Sequence, residues 1–279
     1  MTNKKHNNIT IFADSSVGLT SKVKDKIKLL PLYVYFDQER VYNEINGITR
    51  EEFFKTLEKE QAYTSGCNPA DVEELIKAEY LKGNNILVFS VSSGLSSTYN
   101  TIKIISESLM DEYGKSNKIE VIDTKSISVG MSYLIEDALE LIEEGADFSF
   151  IADELNNRAN KIELYFLVDD LKYMARGGRI NKSTAAIGDV LNIKPILYFT
   201  KDGKIEAFTK VRGLKAGVNQ LYKIINKQEN KRVTIGKSFN EKLCDELSAK
   251  ANINENIDLD LVICSHTGPN MVAVIIYRK

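Results

Sequence analysis

The feature that most constrains the fold of this chain is the alternation of short apolar runs with amphipathic segments. In the first half the apolar runs are ITIFAD, LPLYVYF, RVYNEI, NNILVFSV and KIEVID. Short runs rich in Val, Ile and aromatic residues favour buried strands, and strands separated by helical patterns predict a sheet with parallel crossovers. We therefore predict that residues 1–158 form a parallel α/β domain.

Start and stop residues mark the predicted helices of this first domain. Thr49 followed by Glu52 predicts a capping box at the start of one helix. Asn68 stands where an N-cap belongs, with Pro69 at the first helical position and Gly83 beyond the end. The remaining helices of this half are expected over 21–30, 94–113 and 128–145.

The second half of the chain has a different pattern. Two apolar runs on either side of the Asp202-Gly203 pair predict a hairpin, whose strands are antiparallel. Further strands are expected over 163–170, 232–238, 259–265 and 271–277, with helices over 214–227 and 240–252 and a helical turn at 171–180. We predict a mixed α/β domain over 159–279, although no Pro-rich or Gly-rich linker marks the boundary.

Composition argues against several classes of function. The 37 Lys and Arg residues nearly balance 39 Asp and Glu residues, so no overall positive field attracts nucleic acid or anionic lipid. The only histidines are His6 and His266, which excludes a multi-histidine metal site, and the three cysteines lack a CxxC pair. The apolar runs are too short to span a bilayer, and the polar N-terminus lacks a signal core. We expect a cytoplasmic protein without metal or cofactor.

Hydroxyl-rich loops accompany the predicted strands. They are DSS at 14–16, TSG at 64–66, SSG at 92–94 and DTKS at 123–126. Loops at the carboxyl ends of parallel strands converge, and free backbone N–H groups at helix starts favour anions. The implied ligand has a small anionic or acidic head group. Taken singly, each loop is more simply explained as a helix N-cap.

Catalytic and nucleotide-binding motifs are absent from the sequence. It contains no GxSxG, GxGxxG or GxxxxGK[ST], and the first domain has no histidine besides His6 that could activate a serine. The hydroxyl groups are therefore predicted to hold a ligand rather than to react with it. Two alternatives stay open: a phosphosugar isomerase-like enzyme that binds phosphate with its Ser-rich loop, and an interaction protein without a ligand.

Six motifs along essentially the whole chain resemble those of a known family. They are ADSS, TSGCNP, SSGLSSTY, IDTKS, VDDLKYMARGGRI and SHTGPN, which begin at residues 13, 64, 92, 122, 168 and 265. In order and spacing they resemble the DegV family of bacterial fatty-acid-binding proteins. The resemblance implies an N-terminal parallel α/β/α domain, a C-terminal mixed α/β domain and one long-chain fatty acid, such as palmitate or oleate, between them.

The resemblance also implies a role without catalysis. In several bacteria such a protein is the acyl-carrying subunit of a fatty acid kinase. It presents the fatty acid carboxylate to a separate ATP-binding subunit, and the acyl phosphate formed there leads to phospholipid.

Site residues follow from the resemblance residue by residue. Thr64 and Ser93 match the hydroxyl residues that bind the carboxylate directly. Ser65 and Ser92 lie beside them in the sequence and could exchange roles with them. His266, in the SHTGPN motif, matches a histidine of the second domain that approaches the head group.

The resemblance assigns a second surface to partner docking. Arg179, in GGRI, matches the basic residue implicated in docking to the kinase, and Arg176 and Lys182 lie near it around the two glycines. Three positions depart from the family pattern, because Gly66, Cys67 and Ser97 replace the usual glutamine, proline and glycine. We expect Gly66 and Cys67 to loosen the wall of the head-group site, and Ser97 to add bulk on the first helical turn.

Overall fold

The computed structural model describes residues 8–114, 117–181, 184, 192–227 and 231–278, and its N-terminal half contains two sheets. The strands of this half are β1 (Ile9–Asp14), β2 (Lys28–Leu30), β3 (Tyr33–Tyr35), β4 (Val41–Asn43), β5 (Tyr63–Ser65), β6 (Asn85–Ser90) and β7 (Ile119–Asp123). The larger sheet has the order β2-β1-β6-β7, and all its neighbours are parallel. The smaller sheet, β4-β3-β5, is antiparallel.

Helices cover both faces of the parallel sheet. They are α1 (Arg50–Leu57), α2 (Pro69–Tyr80), α3 (Thr98–Tyr113), α4 (Val129–Glu143) and α5 (Phe148–Ala159). The predicted capping box of α1 is confirmed, since the side chains of Thr49 and Glu52 each bond to the other's backbone N–H. The predicted start of α2 is confirmed as well, because Asn68 accepts from the backbone N–H of Ala70.

The C-terminal half is a mixed sheet with helices on both faces. Its elements are β8 (Ile162–Val168), α6 (Lys172–Gly177), β9 (Ile193–Phe199), β10 (Ile205–Arg212), α7 (Leu214–Asn226), β11 (Arg232–Lys237), α8 (Lys242–Ser248), β12 (Glu255–Asp258), α9 (Leu261–Thr267) and β13 (Met271–Tyr277). The strand order is β10-β9-β8-β13-β11-β12, in which only β11 and β12 are parallel neighbours. This confirms the predicted fold class and the predicted hairpin.

The side chains of the strands alternate between the two faces of each sheet, and the main core lies between the two halves. In β1, Phe12 faces this core while Ile11 and Ala13 face α4 and α5 on the other side. In β13, Ile275 faces the same core, whereas Val274 faces the outer helices of the C-terminal half. Successive side chains of a strand point to opposite faces, so both sheets turn one apolar face toward the shared core.

Two predicted elements are wrong. The segment 21–30 is not a helix, because 21–26 form turns and Lys28–Leu30 pair with β1. The segment 259–265 is not a strand, because the Asp260 carboxylate caps the N–H of Ile263 and starts α9. In the first case, pairing with the edge of the parallel sheet determined the structure of 28–30 although the apolar spacing fits a helix. In the second case, the Asp260 cap started a helix although the apolar run fits a strand.

Three elements were not predicted, and the domain boundary stays a prediction. The strand β5 falls in a segment read as a loop, and neither α5 nor β12 was anticipated. The parallel sheet ends with β7 and the mixed sheet begins with β8, on either side of the predicted boundary at 158/159. Within the described residues, no helix has the length and apolar character needed to cross a membrane, and no cluster of metal-binding side chains occurs.

Candidate functional site

A cavity lies between the two halves, where the carboxyl ends of the parallel strands face the mixed sheet. It contains about 840 Å³ of space free of protein atoms, including its opening to solvent. Apolar side chains from both halves form most of its wall: Leu32, Val91, Leu95, Ile127, Leu164, Phe166, Met174, Phe199, Ile205, Leu259, Val262, Ile263, Met271, Ala273 and Ile275. This lining is typical of a pocket for an apolar small molecule.

The polar residues that line the cavity are Ser16, Thr64, Ser65, Ser96, Ser128, Arg179, His266 and Thr267. We call the part of the cavity at Thr64, Ser65, Ser96, Arg179 and His266 the head-group end. Thr64 Oγ1 lies 2.9 Å from His266 Nε2, which joins β5 of the first half to α9 of the second. The structure therefore brings together three of the predicted carboxylate-binding residues and adds Ser96 and Arg179.

Local structure explains why Thr64 and His266 meet. β5 pairs with β3 so that Thr64 is opposite Val34, which fixes the side of the sheet on which Thr64 lies. His266 stands in the last turn of α9, one residue before that helix ends at Thr267. The two side chains are 202 positions apart in the chain and meet only because the halves pack face to face.

The paired glycines at the end of α6 have two different functions. A Cβ atom at Gly177 would collide with the His266 ring, so this position needs glycine for close approach. Gly178 has a φ of +69° with open space around it, so this position needs glycine for its backbone conformation. The predicted break of the helix therefore lies at the glycine that contacts the His266 ring.

Electrostatics at the head-group end favours an anion. Burial and the nearby Arg179 lower the pKa of His266 to about 4, so the imidazole is neutral at pH 7. Arg179 donates to the carbonyl of Gly177, and burial lowers its pKa without removing its charge at neutral pH. Among the described residues, no carboxylate forms an ion pair with Arg179. The site therefore offers one cation, one neutral imidazole and several hydroxyls.

The structure places Ser92 and Ser93, both predicted to bind the carboxylate, outside the cavity lining. Ser93 is exposed and outside the cavity lining, and its hydroxyl and N–H donate to Asp123 at 2.6 and 3.1 Å. Ser92 is fully buried and donates to the carbonyl of Gly203 at 2.8 Å. Both hydroxyls are therefore committed to protein partners, and Ser96, two positions before the start of α3, is the serine of this motif that lines the cavity.

The other hydroxyl-rich loops are also used mainly inside the protein. Asp14 is buried, and its carboxylate accepts from Ser16, Ser90 and the N–H of Val91, while burial raises its pKa. Thr124 donates to the carbonyl of Ser90. These loops converge as predicted, but their polar groups form hydrogen bonds with one another. The serine loop at 92–94 accordingly offers no open cradle for the phosphate of a phosphosugar.

The three departures from the family pattern have different surroundings. Gly66 lines the cavity, and a Cβ atom there would lie 2.7 Å from Thr98 Oγ1, so the hydroxyl of Thr98 takes up the space beside it. Cys67 is buried in the shared core, and Ser97 is exposed at the start of α3. The wall at Gly66 is therefore packed rather than loose, contrary to the expectation from sequence.

The helix α9 is fastened to the N-terminal half at its other end. Glu44 accepts from the N–H of Leu261 at 3.0 Å, and Arg50 donates to the carbonyl of Leu259 at 2.6 Å. Desolvation raises the pKa of Glu44 well above its usual range and that of Asp260 to about 7. The wall that α9 contributes is thus held in place by bonds that cross between the halves.

The residues assigned to partner docking occupy two environments. Arg176 is exposed and borders a polar surface depression whose charged lining is mixed, with Lys59 and Lys172 beside Glu58 and Glu60, and which also includes Ser265. Arg179 is partly buried and lines the cavity, so its guanidinium faces the head-group end. Lys182 lies outside the described residues.

Comparisons with known proteins agree with this geometry. A DegV domain-containing protein of Clostridium acetobutylicum is 30% identical over 97% of this chain and 99% of its own length. The solved structure of a fatty acid binding DegV family protein from Streptococcus agalactiae is 26% identical, with a TM-score of 0.86 over 98% of this chain and 99% of that one. That of DegV, a fatty acid binding protein from Bacillus subtilis, is 26% identical, with a TM-score of 0.82 over the same shares. Residues 8–279 match a family model described as "Uncharacterised protein, DegV family", and this chain therefore belongs to the DegV family.

Proposed function

We propose that this protein binds one long-chain fatty acid in the central cavity, with the carboxylate at the head-group end. The observation that carries the proposal is the combination of a largely apolar wall with the polar cluster of Thr64, His266 and Arg179. Each methylene removed from water contributes about 0.8 kcal/mol, which favours a long acyl chain over a short acid. The solved structures of similar proteins from S. agalactiae and B. subtilis, named as fatty acid binding, support the same ligand class.

The head-group residues have complementary donors for a carboxylate. When the neutral imidazole of His266 donates to Thr64 Oγ1, the hydroxyl proton of Thr64 is free to donate to the ligand. Ser65 supplies a further hydroxyl, and Arg179 supplies the positive charge. Ser96 Oγ lies 2.9 Å from Thr98 Oγ1, and its proton is free for the ligand when Thr98 is the donor of that bond. A carboxylate bound here exchanges its hydrogen bonds with water for several charge-assisted hydrogen bonds with the protein.

Analysis of the native ligand tests this proposal. Protein purified from a bacterial host is denatured, and the organic extract is examined by mass spectrometry. We expect one long-chain fatty acid per chain, because a buried acyl tail survives purification. An extract free of fatty acid, together with no binding of added palmitate or oleate to the stripped protein, would refute the proposal.

We further propose that the protein is a cytoplasmic carrier that presents the bound carboxylate to the ATP-binding subunit of a fatty acid kinase. Arg176 and the depression that it borders lie next to the head-group end, since Ser265 of the depression adjoins His266. Exposed positive charges at such a rim act mainly on association rate and salt dependence. The partner surface is therefore expected to be acidic, and the acyl phosphate formed there to serve phospholipid synthesis.

A charge reversal separates docking from ligand binding. Arg176→Glu is expected to retain fatty acid binding but to lose acyl phosphate formation with the cognate kinase and ATP. The matched control is Arg212→Glu, an exposed arginine at the end of β10, which should leave both unchanged. Arg179→Glu should abolish both activities, because Arg179 also lines the cavity. Normal turnover of Arg176→Glu would exclude this residue from docking.

A further inference from the structure

The buried hydroxyl of Thr98 shares a hydrogen bond with the hydroxyl of Ser96. Thr98 is the first residue of α3 and is 1% exposed, and it is outside the cavity lining, to which Ser96 belongs. The two oxygens, Ser96 Oγ and Thr98 Oγ1, are 2.9 Å apart, and the distance alone allows either of them to donate. The direction of this bond decides whether Ser96 keeps its proton for a ligand.

The surroundings of the two hydroxyls favour Thr98 as the donor. Among the described residues, the Thr98 hydroxyl has no hydrogen-bond partner other than Ser96. If Ser96 donated, the hydroxyl proton of Thr98 would be buried without an acceptor, which is unfavourable. If Thr98 donates, its own proton is paired and the proton of Ser96 is left for another acceptor.

The backbone of Thr98 occupies a further acceptor position of Ser96. The N–H of Thr98 donates to Ser96 Oγ at 3.2 Å. A hydroxyl has one donor and two acceptor positions, so the N–H and the hydroxyl of Thr98 together fill both acceptor positions of Ser96. Ser96 is then able only to donate. An ionised carboxylate is the matching head group, because it offers acceptors alone, whereas an alcohol is uncharged and an ammonium group offers donors alone.

Gly66 provides the space in which the Thr98 hydroxyl lies. A Cβ atom at Gly66 would be 2.7 Å from Thr98 Oγ1, whereas the next nearest atom of Thr98 would be 3.8 Å away. A larger residue at this position would therefore press on the hydroxyl itself and move it from Ser96. The glycine that departs from the family pattern thus allows the bond between Thr98 and Ser96 to form.

We propose that Thr98 is a positioning residue of the fatty acid site, which donates to Ser96 and makes Ser96 an obligate donor to the ligand. The site then selects an ionised carboxylate over an uncharged or cationic head group on the same acyl chain. This proposal rests on the proposed function and adds the class of head group that the site prefers. Thr98 acts only through Ser96, and Gly66 leaves room for it.

Two ligands with the same chain length test the proposal. The stripped full-length protein is titrated with palmitic acid and with hexadecanol. Thr98→Val removes the hydroxyl but keeps the shape of the side chain, so it should lower the affinity ratio of acid to alcohol about fivefold, the difference between a hydrogen bond to a charged and to a neutral acceptor. Thr98→Ser retains a hydroxyl and should retain the ratio.

A double-mutant cycle tests whether Thr98 acts through Ser96. Ser96→Ala should lower the ratio by itself, and Thr98→Val in that background should lower it no further. Gly66→Ala retains Thr98 but crowds its hydroxyl, so this variant should also lower the ratio. Where Thr98→Val does not fold, an unchanged ratio in Gly66→Ala overturns the proposal.

A matched variant controls for the loss of any buried threonine hydroxyl. Thr234 on β11 is also 1% exposed, and its Oγ1 atom pairs with Tyr133 outside the cavity lining, so Thr234→Val should leave the ratio unchanged. An unchanged ratio in Thr98→Val overturns the proposal, as does an equal fall in Thr234→Val or a further fall in the Ser96→Ala background. Failure of palmitic acid to bind the wild-type protein contradicts the proposed function instead.

Discussion

Two hydroxyl-rich segments of similar composition have opposite uses in this protein. In the segment at 64–66, Thr64 and Ser65 line the cavity, and Thr64 contacts the imidazole of His266 across the interface of the two halves. In the segment at 92–94, Ser92 and Ser93 donate to protein acceptors instead. The difference teaches that a hydroxyl is available to a ligand only where the fold leaves it without a stronger acceptor.

The largest expected effect comes from removing the hydroxyls that face the cavity. Replacing Thr64 and Ser96 together by alanine should weaken fatty acid binding by about 100-fold or more, because charge-assisted hydrogen bonds contribute about 1.5–3 kcal/mol each. Titration of the stripped protein with a fluorescent fatty acid measures this loss. Ser93→Ala is the control and should bind as the parent does. An equal loss of fatty acid affinity in the two variants would contradict the different roles of the two segments.

A second prediction concerns the two glycines after α6. Gly177→Ala should displace the His266 ring and lower affinity by about tenfold, the loss expected for one hydrogen bond in the head-group site. Gly178→Ala should leave affinity unchanged but reduce the free energy of unfolding by about 1 kcal/mol, because alanine is strained at a positive φ. Binding assays and denaturant unfolding separate the two outcomes. If both glycine variants lose affinity, the backbone turn at Gly178 determines ligand binding, and the close contact between Gly177 and His266 is not its specific cause.

The third prediction addresses the hydroxyl that serves the fold. Ser92→Ala removes a buried hydrogen bond to the turn between β9 and β10 and leaves the Gly203 carbonyl without this partner. The free energy of unfolding should fall by about 1–2 kcal/mol in urea denaturation. The exposed Ser93→Ala variant should lose less than about 0.5 kcal/mol. A larger loss for Ser93 than for Ser92 would reverse the assignment of structural roles.

The smallest expected effect is that of pH on the histidine near neutrality. Because the pKa of His266 is lowered to about 4, the ring should not titrate between pH 6 and 8 in the ligand-free protein. Proton NMR of the two histidines, with His266→Gln for assignment, measures this directly. A midpoint near 6.5 would show that the ring is solvated and not part of the buried site.

The same shift has a defined effect on stability. The unfolded chain binds a proton at this histidine near pH 6.5, whereas the folded chain does so only near pH 4. The contribution of His266 is therefore fully present above pH 6.5 and is lost as the pH falls toward 4. The raised pKa of Asp260 acts in the opposite direction, since its contribution is lost as the pH rises through 7.

Local signals accounted for much of the fold. The caps at Thr49 and Asn68 lie within three residues of the groups that they satisfy, so sequence alone was sufficient to predict them. The helix at 261–267 was predicted as a strand, because an apolar run of seven residues fits either structure until its neighbours are known. Residues 28–30 form a strand because β1 lies beside them, which no local pattern reveals.

The sequence was sufficient to predict that the hydroxyl-rich loops converge, but not which of their hydroxyls have protein partners. The choice between Ser93 and Ser96 depended on Asp123, which lies 30 positions away from Ser93 and takes its hydroxyl. The place of Arg179 in the cavity depended on the turn at Gly178, whose path the sequence does not specify.

The helix α9 has a consequence for how the protein is made. Its contacts with Glu44, Arg50 and Thr64 join segments that are 202 to 217 positions apart in the chain. Synthesis proceeds from the N-terminus, so the first sheet can fold while these partners still await the helix. Contacts of such long separation also form slowly after release. The nascent chain therefore carries an open, apolar groove until α9 and β13 leave the ribosome, and a product that stops before residue 261 exposes that groove permanently.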